Sequence, residues 1–348
     1  MEPAPASTAQ PLWTRVDRDR WRLVALVFEV CLSIAACGAV VAFLLVMIAV
    51  ALGAPAPGSS GWDGPSIAAA VAWATWAVFL LALAWALWTL SRADRTVLGR
   101  LGAVRVPVGA LPELKGVLKD MGLAAGYSPA PEPWVLPFDS INACAVARGR
   151  KRPAVAFTRG FVEKLPPAEQ RAVFANLLAR LASGDAAWGT GAFALMAPVF
   201  AMRDRDLSGE NDALFQPTKP SEEQLAWLGT SDEECEQDVS GALVIGFLFY
   251  LPLVVVTEVL ASAHQRNALV VAESADALGM LLLKDPREMM RALKRVLPSD
   301  NMIPVSGSAL GIIFYAWPGW DAPIGEEDPE LRRVARLREV LGAEGSAA

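Results

Sequence analysis

The chemistry open to this chain is limited first by one count: its 348 residues include a single histidine, His264. A zinc site on two histidines four apart on one helix face needs two, so that arrangement is excluded. The four cysteines, Cys31, Cys37, Cys144 and Cys235, form no CxxC pair, and two of them fall in a long apolar run. Neither a disulfide framework nor a zinc knuckle follows from that spacing. The sequence contains no Gly-x-Ser-x-Gly elbow, no P-loop and no Gly-x-Gly-x-x-Gly fingerprint. Glu29 lies at the edge of an apolar run, where an ionisable group is a functional candidate by default. Trp21 and Arg22 nearby favour a simple interfacial placement for it, and His264, just past another apolar run, is expected in a similar role. What remains is a set of separated carboxylates and arginines whose meaning depends on the elements that carry them.

Those elements are mostly apolar. Hydrophobic residues make up 54% of the chain and charged residues 20%, with a net charge of -6; mean hydropathy is +0.36. This balance suits lipid-facing segments and excludes a generally basic nucleic-acid binder. Two uncharged runs, within residues 21–53 and 66–91, each exceed the roughly 20 residues that cross a bilayer. A Pro- and Gly-rich turn separates them, and Trp73, Trp76, Trp85 and Trp88 suit aromatic belts on the second. Two weaker runs, 186–202 and 239–261, contain Pro198 and Pro252; each reads either as a further span or as part of a buried helical hairpin.

Orientation follows from the arginines. Arg15, Arg18, Arg20 and Arg22 precede the first span, the first loop has none, and Arg92, Arg95, Arg100 and Arg105 follow the second. Positive charge concentrates on the cytoplasmic side, which places the N-terminus and the segment after Ser91 there. Residues 92–185 carry 14 Lys and Arg against 8 Asp and Glu, whereas 203–238 carry 3 against 11. The charge map is consistent with four spans. The expected organisation is a cytoplasmic tail 1–20, spans 21–53 and 66–91, a domain 92–185, a span 186–202, an acidic loop 203–238, a span 239–261 and a C-terminal part 262–348. The lipid bilayer is the expected partner, with membrane proteins or peptides as further candidates and no nucleic acid.

Within 111–165 short elements alternate. Leu114, Val117, Leu118 and Met121 have helical spacing, and segments beginning at Trp134, Ala143 and Ala154 read as strands. Thr158 suits the cap of a short helix, and Pro166-Pro167 opens a longer one that stops at Ser183-Gly184-Asp185.

The runs Ile141-Asn-Ala-Cys-Ala-Val-Ala, Pro153-Ala-Val-Ala-Phe-Thr-Arg-Gly-Phe-Val-Glu-Lys-Leu and Glu169 to Val173 resemble the HtpX-type membrane zinc metallopeptidases, relatives of the CAAX prenyl endopeptidase. Ala275-Asp276, Lys284-Asp-Pro and Asp328-Pro-Glu-Leu-Arg-Arg-Val-Ala-Arg-Leu continue the likeness, which covers most of residues 100–340. It implies an α-helical integral membrane protein of about four transmembrane helices carrying a helix-rich α+β zincin-like metallopeptidase domain.

The resemblance also implies a His-Glu-x-x-His helix with a glutamate as third zinc ligand. Here the matching positions are Asn176, Leu177 and Arg180, with Ala272 at the third ligand; Glu273 is one residue off, about 100° around a helix. Asparagine is a poor zinc ligand, leucine cannot act as a base, and arginine repels a metal. Asp185 and Asp276 match orienting positions of the family and are retained, a better reading than an aspartyl dyad. No cofactor is expected. Arg180 is expected to replace the metal by pairing with Asp276 or Glu273. The resulting expectation is a catalytically inactive HtpX-like pseudoprotease. Two rivals stay open: an active zinc endopeptidase with ligands from unexpected positions such as Cys144 or His264, and a structural subunit of a membrane complex.

Overall fold

The structure is a computed structural model, describing residues 12–53, 63–149, 151–208, 268–297, 303, 310–317 and 332–339. Helices α1 (Leu12–Ala51) and α2 (Gly64–Ser91) pack together as a hairpin. No proline interrupts the chain between Pro11 and Pro55, and α1 takes in the basic segment 12–20 that the sequence suggests is a tail. Asp63 caps α2: its carboxylate accepts from the Ser66 amide while the Ser66 hydroxyl accepts from the Asp63 amide.

Trp21–Ala51 and Gly64–Ser91, 31 and 28 residues, are the two described helices long and apolar enough to cross a membrane. At 1.5 Å per residue they reach about 46 and 42 Å, more than the ~30 Å of hydrocarbon. Gly38 lets them close, since a Cβ there would meet Val78 at 2.8 Å. Phe28 and Phe79 stack edge to face at 6.3 Å. The outer faces expose Leu44, Leu45, Ile48, Trp73, Leu80 and Leu81, side chains suited to hydrocarbon rather than water.

Beyond Ser91 the short helix α3 (Ala93–Arg100) leads into a four-stranded sheet of β1 (Val104–Arg105), β2 (Glu132–Leu136), β3 (Ala143–Arg148) and β4 (Lys151–Thr158). The spatial order is β1-β2-β4-β3; β2 and β4 are parallel, the other pairs antiparallel. Strand alternation divides the core. Ala143, Ala145, Val155 and Phe157 face a layer of α4 (Pro112–Ala124), α6 (Pro167–Ser183) and the helix Pro286–Val296. Cys144, Val146, Ala154 and Ala156 face α3, α7 (Asp185–Ser208) and the inner ends of α1 and α2. The sheet is thus buried on both faces, and α3 and α7, which cover one of them, pack in turn against the hairpin. The short helix α5 (Arg159–Lys164) is capped by the Thr158 hydroxyl, which accepts from the Phe161 amide.

Helix α7 takes in the third apolar run, and its residues 186–197 are almost all buried. Gly191 seats this half against Leu23 of α1 and Leu90 of α2. A glycine-rich, weakly apolar start (Trp188, Gly189, Thr190, Gly191) suits close packing by protein better than contact with lipid. The run 239–261, most of the acidic loop 203–238, and His264 lie outside the described residues.

Candidate functional site

The site forms where α6, helix 268–283, helix 332–339 and the turn at 310–316 converge. Helix α6 starts at Pro167, where a missing amide costs nothing, and ends at Gly184, whose φ of +92° is left-handed. Nearly every face between Glu169 and Ser183 is buried, so polar side chains there must find partners inside the protein. Asn176 and Arg180 are 0% exposed.

Four residues apart, they share a helix face and bond each other: the Arg180 Nε donates to Asn176 Oδ1 at 2.9 Å. The Asn176 Nδ2 donates to Asp276 Oδ1 at 2.7 Å. Helix 268–283 comes close enough because Gly279 faces α6; a Cβ there would lie 3.0 Å from the Asn176 nitrogen. Asp276 is held in turn by Arg333, whose Nε and Nη2 reach Oδ2 and Oδ1 at 2.8 and 2.9 Å. This forked pair is almost fully buried, and the Arg333 guanidinium also lies 5.0 Å over the Tyr315 ring.

Both guanidiniums then grip the turn. Arg180 Nη1 donates to the carbonyls of Ile312 (2.8 Å) and Gly311 (3.3 Å), and Nη2 to that of Tyr315 (3.4 Å). Arg333 Nη1 donates to the Tyr315 carbonyl at 2.7 Å. Gly311 is required here, because a Cβ would fall 2.0 Å from the Trp317 ring. The same segment lies along the free edge of the sheet. Phe314 pairs antiparallel with Cys144, and the Tyr315 amide donates to the Ala143 carbonyl at 2.8 Å. The Asn142 side chain closes the contact, accepting from the Ala316 amide at 3.2 Å and donating to its carbonyl at 3.1 Å.

Burial, and after it the Arg333 charge, brings the Arg180 guanidinium down to about 10, while Asp276, Asp185 and Tyr315 oppose the shift. It remains protonated at neutral pH. Arg180 reaches Asp276 only through Asn176; the guanidinium on that carboxylate belongs to Arg333. Glu273 points to the rim, 3.3 Å from Arg332 and 2.8 Å from Arg336. Leu177 lies in the apolar core beside the sheet, and Ala272 is buried one helical turn before Asp276. Asp185 opens α7 and accepts from the Ser183 hydroxyl. Cys144 faces the opposite side of the sheet from α6, and burial pushes its thiol pKa up, away from nucleophilic use.

Sequence reasoning did not find Arg333 or Asn142. A signal existed for the first: in helix 332–339 the buried positions are 333, 334 and 337. An arginine sharing an inward stripe with Val334 and Leu337 requires a buried anion.

These features define a membrane-anchored protein whose helix-and-sheet domain centres on a closed guanidinium–carboxylate cluster. Comparison places it among known chains. It is 23% identical to a Protease HtpX homolog of Thermoanaerobacter pseudethanolicus over 279 residues, 77% of this chain and 86% of the relative. Homologs of the same name from Acidiphilium cryptum and Thermococcus sibiricus are 26% identical over 256 and 277 residues, covering 80% and 87% of their lengths. Likeness to several such homologs over most of the chain supports an HtpX-like family. No family model matches it, and no solved structure does.

Proposed function

We propose that this chain is a catalytically silent HtpX-like membrane protein that binds or regulates membrane-protein or peptide partners, with its domain on the cytoplasmic side. One observation carries the reading: at the second metal-ligand position of the resemblance stands Arg180, fully buried, with four hydrogen bonds to protein acceptors. Zinc needs three lone-pair donors of carboxylate, imidazole or thiolate type and an open position for water. The residues here do not fit it. Arg180 offers only N–H groups, the Asn176 amide already donates to Asp276, and Leu177 and Ala272 offer no donor atom. Asp276 accepts from three N–H groups, two on Oδ1 and one on Oδ2, so most of its acceptor capacity is already taken by protein donors. Among the described residues no group of three His, Cys, Asp or Glu side chains is placed to hold a metal ion.

The turn on the sheet edge supports the same reading. An extended peptide adds to a sheet through an unpaired edge strand. At the site end of β3 that edge is engaged by Phe314 and Tyr315 of the chain itself.

The test is metal content and proteolysis on the purified full chain in detergent. The expected result is zinc far below stoichiometry, no cleavage of unfolded membrane-protein substrates, and a melting temperature indifferent to chelator. Stoichiometric zinc, with cleavage lost on chelation, would overturn the proposal in favour of an active metallopeptidase using residues outside the described set.

A further inference from the structure

Helix α1 has two faces where it leaves the bilayer, and only one of them is covered. Leu26, Val30, Cys31 and Ile34 are buried in one apolar cluster with Ala82 and Ala86 of α2 and with Phe193, Leu195 and Met196 of α7. On the other side Trp21, Val24, Phe28 and Leu32 are each more than half exposed, at helical spacings that align them in one row. Ala25 and Ala36 are exposed beside that row. Glu29 flanks it, also exposed, and no described residue pairs with its carboxylate. Depth decides what can cover this row. An acidic side chain at the bilayer centre costs about 2.5–3.5 kcal/mol, so the hydrocarbon begins on the far side of Glu29. From Val30 to Ala51 the helix covers about 33 Å, enough for the ~30 Å core. Val24 then lies about 9 Å and Trp21 about 14 Å beyond the core on the domain side. The headgroup layer is about 5–8 Å deep, and a tilt of about 20° shortens those depths by under a tenth. Lipid therefore covers Leu32 and Phe28 but leaves Val24 and Trp21 bare.

We propose that this face of α1 docks a transmembrane helix of a partner membrane protein, one that carries Lys or Arg opposite Glu29 where its span leaves the bilayer. The row runs without a break from beyond the headgroups into the hydrocarbon, so its occupant must make the same passage. A spanning helix does so. Alanines on the face let two backbones approach closely, as packing between helices in lipid requires. Glu29 supplies the selectivity, because Lys and Arg are the side chains that spans carry at their cytoplasmic ends. A second copy of the chain packed in parallel on the same row would bring two Glu29 carboxylates together, which disfavours self-association. The inference rests on the partner-binding half of the function proposed above and not on catalytic silence. Zinc and cleavage in the earlier test would leave it standing, and a failure to dock would leave the metal result unchanged.

The full chain, with a donor dye at its C-terminus, is placed in phosphatidylcholine vesicles with a single-span Leu-Ala peptide bearing an acceptor dye. The peptide is made in two versions that differ at one end, Lys-Lys or Gln-Gln. Energy transfer should saturate with peptide density, and the Lys version should bind about threefold or more tightly than the Gln version. Glu29→Gln should abolish that preference, and Glu29→Lys should pass it to a peptide ending in Glu-Glu. Val24→Ala combined with Phe28→Ala should weaken both versions about tenfold. Equal binding of the Lys and Gln versions, or a preference that survives Glu29→Gln, overturns the proposal. So does transfer no greater than random mixing in the unmodified chain, which would show the face already covered by the chain itself or by lipid. Transfer between two labelled copies that the peptide does not compete away would make the face a self-association surface and overturn it equally. If Glu29→Lys does not fold, the Lys–Gln comparison in the unmodified chain and in Glu29→Gln decides.

Discussion

Two carboxylates three residues apart on helix 268–283 meet arginines of the same neighbouring helix, and solvent separates their fates. Asp276 and Arg333 are 5% and 3% exposed at the side chain, with a forked pair of bonds and two further connections, to Asn176 and to the Tyr315 carbonyl. Glu273 faces Arg332 and Arg336, both more than half exposed. The chemistry is the same, but in the interior neither partner can fall back on water. A buried pair is therefore a weak source of net stability and a strong penalty when broken, whereas a rim pair is worth little either way.

The largest effect should follow from Arg333→Ala. It strands the Asp276 carboxylate in the core and should cost about 3–5 kcal/mol in equilibrium unfolding in detergent. A double-mutant cycle with Asp276→Ala tests the comparison directly, with a coupling of about 2 kcal/mol or more expected. A coupling near zero would mean that burial confers no interdependence on the pair.

Arg180→Met comes next. It removes four hydrogen bonds and leaves the carbonyls of Gly311 and Ile312 without that donor, a loss of about 3 kcal/mol. The segment 310–317 should lose amide-exchange protection first. Arg180→Lys should recover less than half, because a single ammonium cannot replace a planar fork aimed at three carbonyls and an amide oxygen. Unchanged stability in Arg180→Met would show that this guanidinium does not tie α6 to the turn.

Asn176→Ala should cost less, about 1–3 kcal/mol, since Asp276 keeps both Arg333 bonds and Arg180 keeps its carbonyls. Its interest lies in what it separates. If the two arginines act as one network through Asn176, Arg180→Met and Arg333→Ala should become more nearly additive in the Asn176→Ala background.

How much of this was legible in sequence depends on the range of the interaction. The membrane hairpin was readable, because a run of more than 20 uncharged residues is a local property. The strands at Trp134, Ala143 and Ala154 were readable from their turn-bounded apolar residues. Helix α3 and the two-residue β1 were not, being too short to show a period. The start of α7 is as apolar as a weak span, and only the packing of Gly191 on Leu23 and Leu90 shows protein enclosing it. At the site, sequence suggested Arg180, Asp276 and Glu273 as partners. The structure brings Arg180 and Asp276 into one cluster and leaves Glu273 outside it. Arg333 was hidden because nothing local identifies which of two nearby carboxylates an arginine 57 positions further on will reach.

The smallest effect should be that of Glu273→Gln. Its carboxylate is only 11% exposed, yet Arg332 and Arg336 reach it from solvent and can rehydrate when the charge is removed. The loss should stay within about 1 kcal/mol and shrink further in high salt. Arg336→Ala should behave the same way, because Arg332 remains to cover the carboxylate. A loss of several kcal/mol from either change would place Glu273 on the interior side of the comparison. The cluster around Asp276 would then extend to both carboxylates of helix 268–283, with Arg332 and Arg336 as part of the clamp rather than its surface.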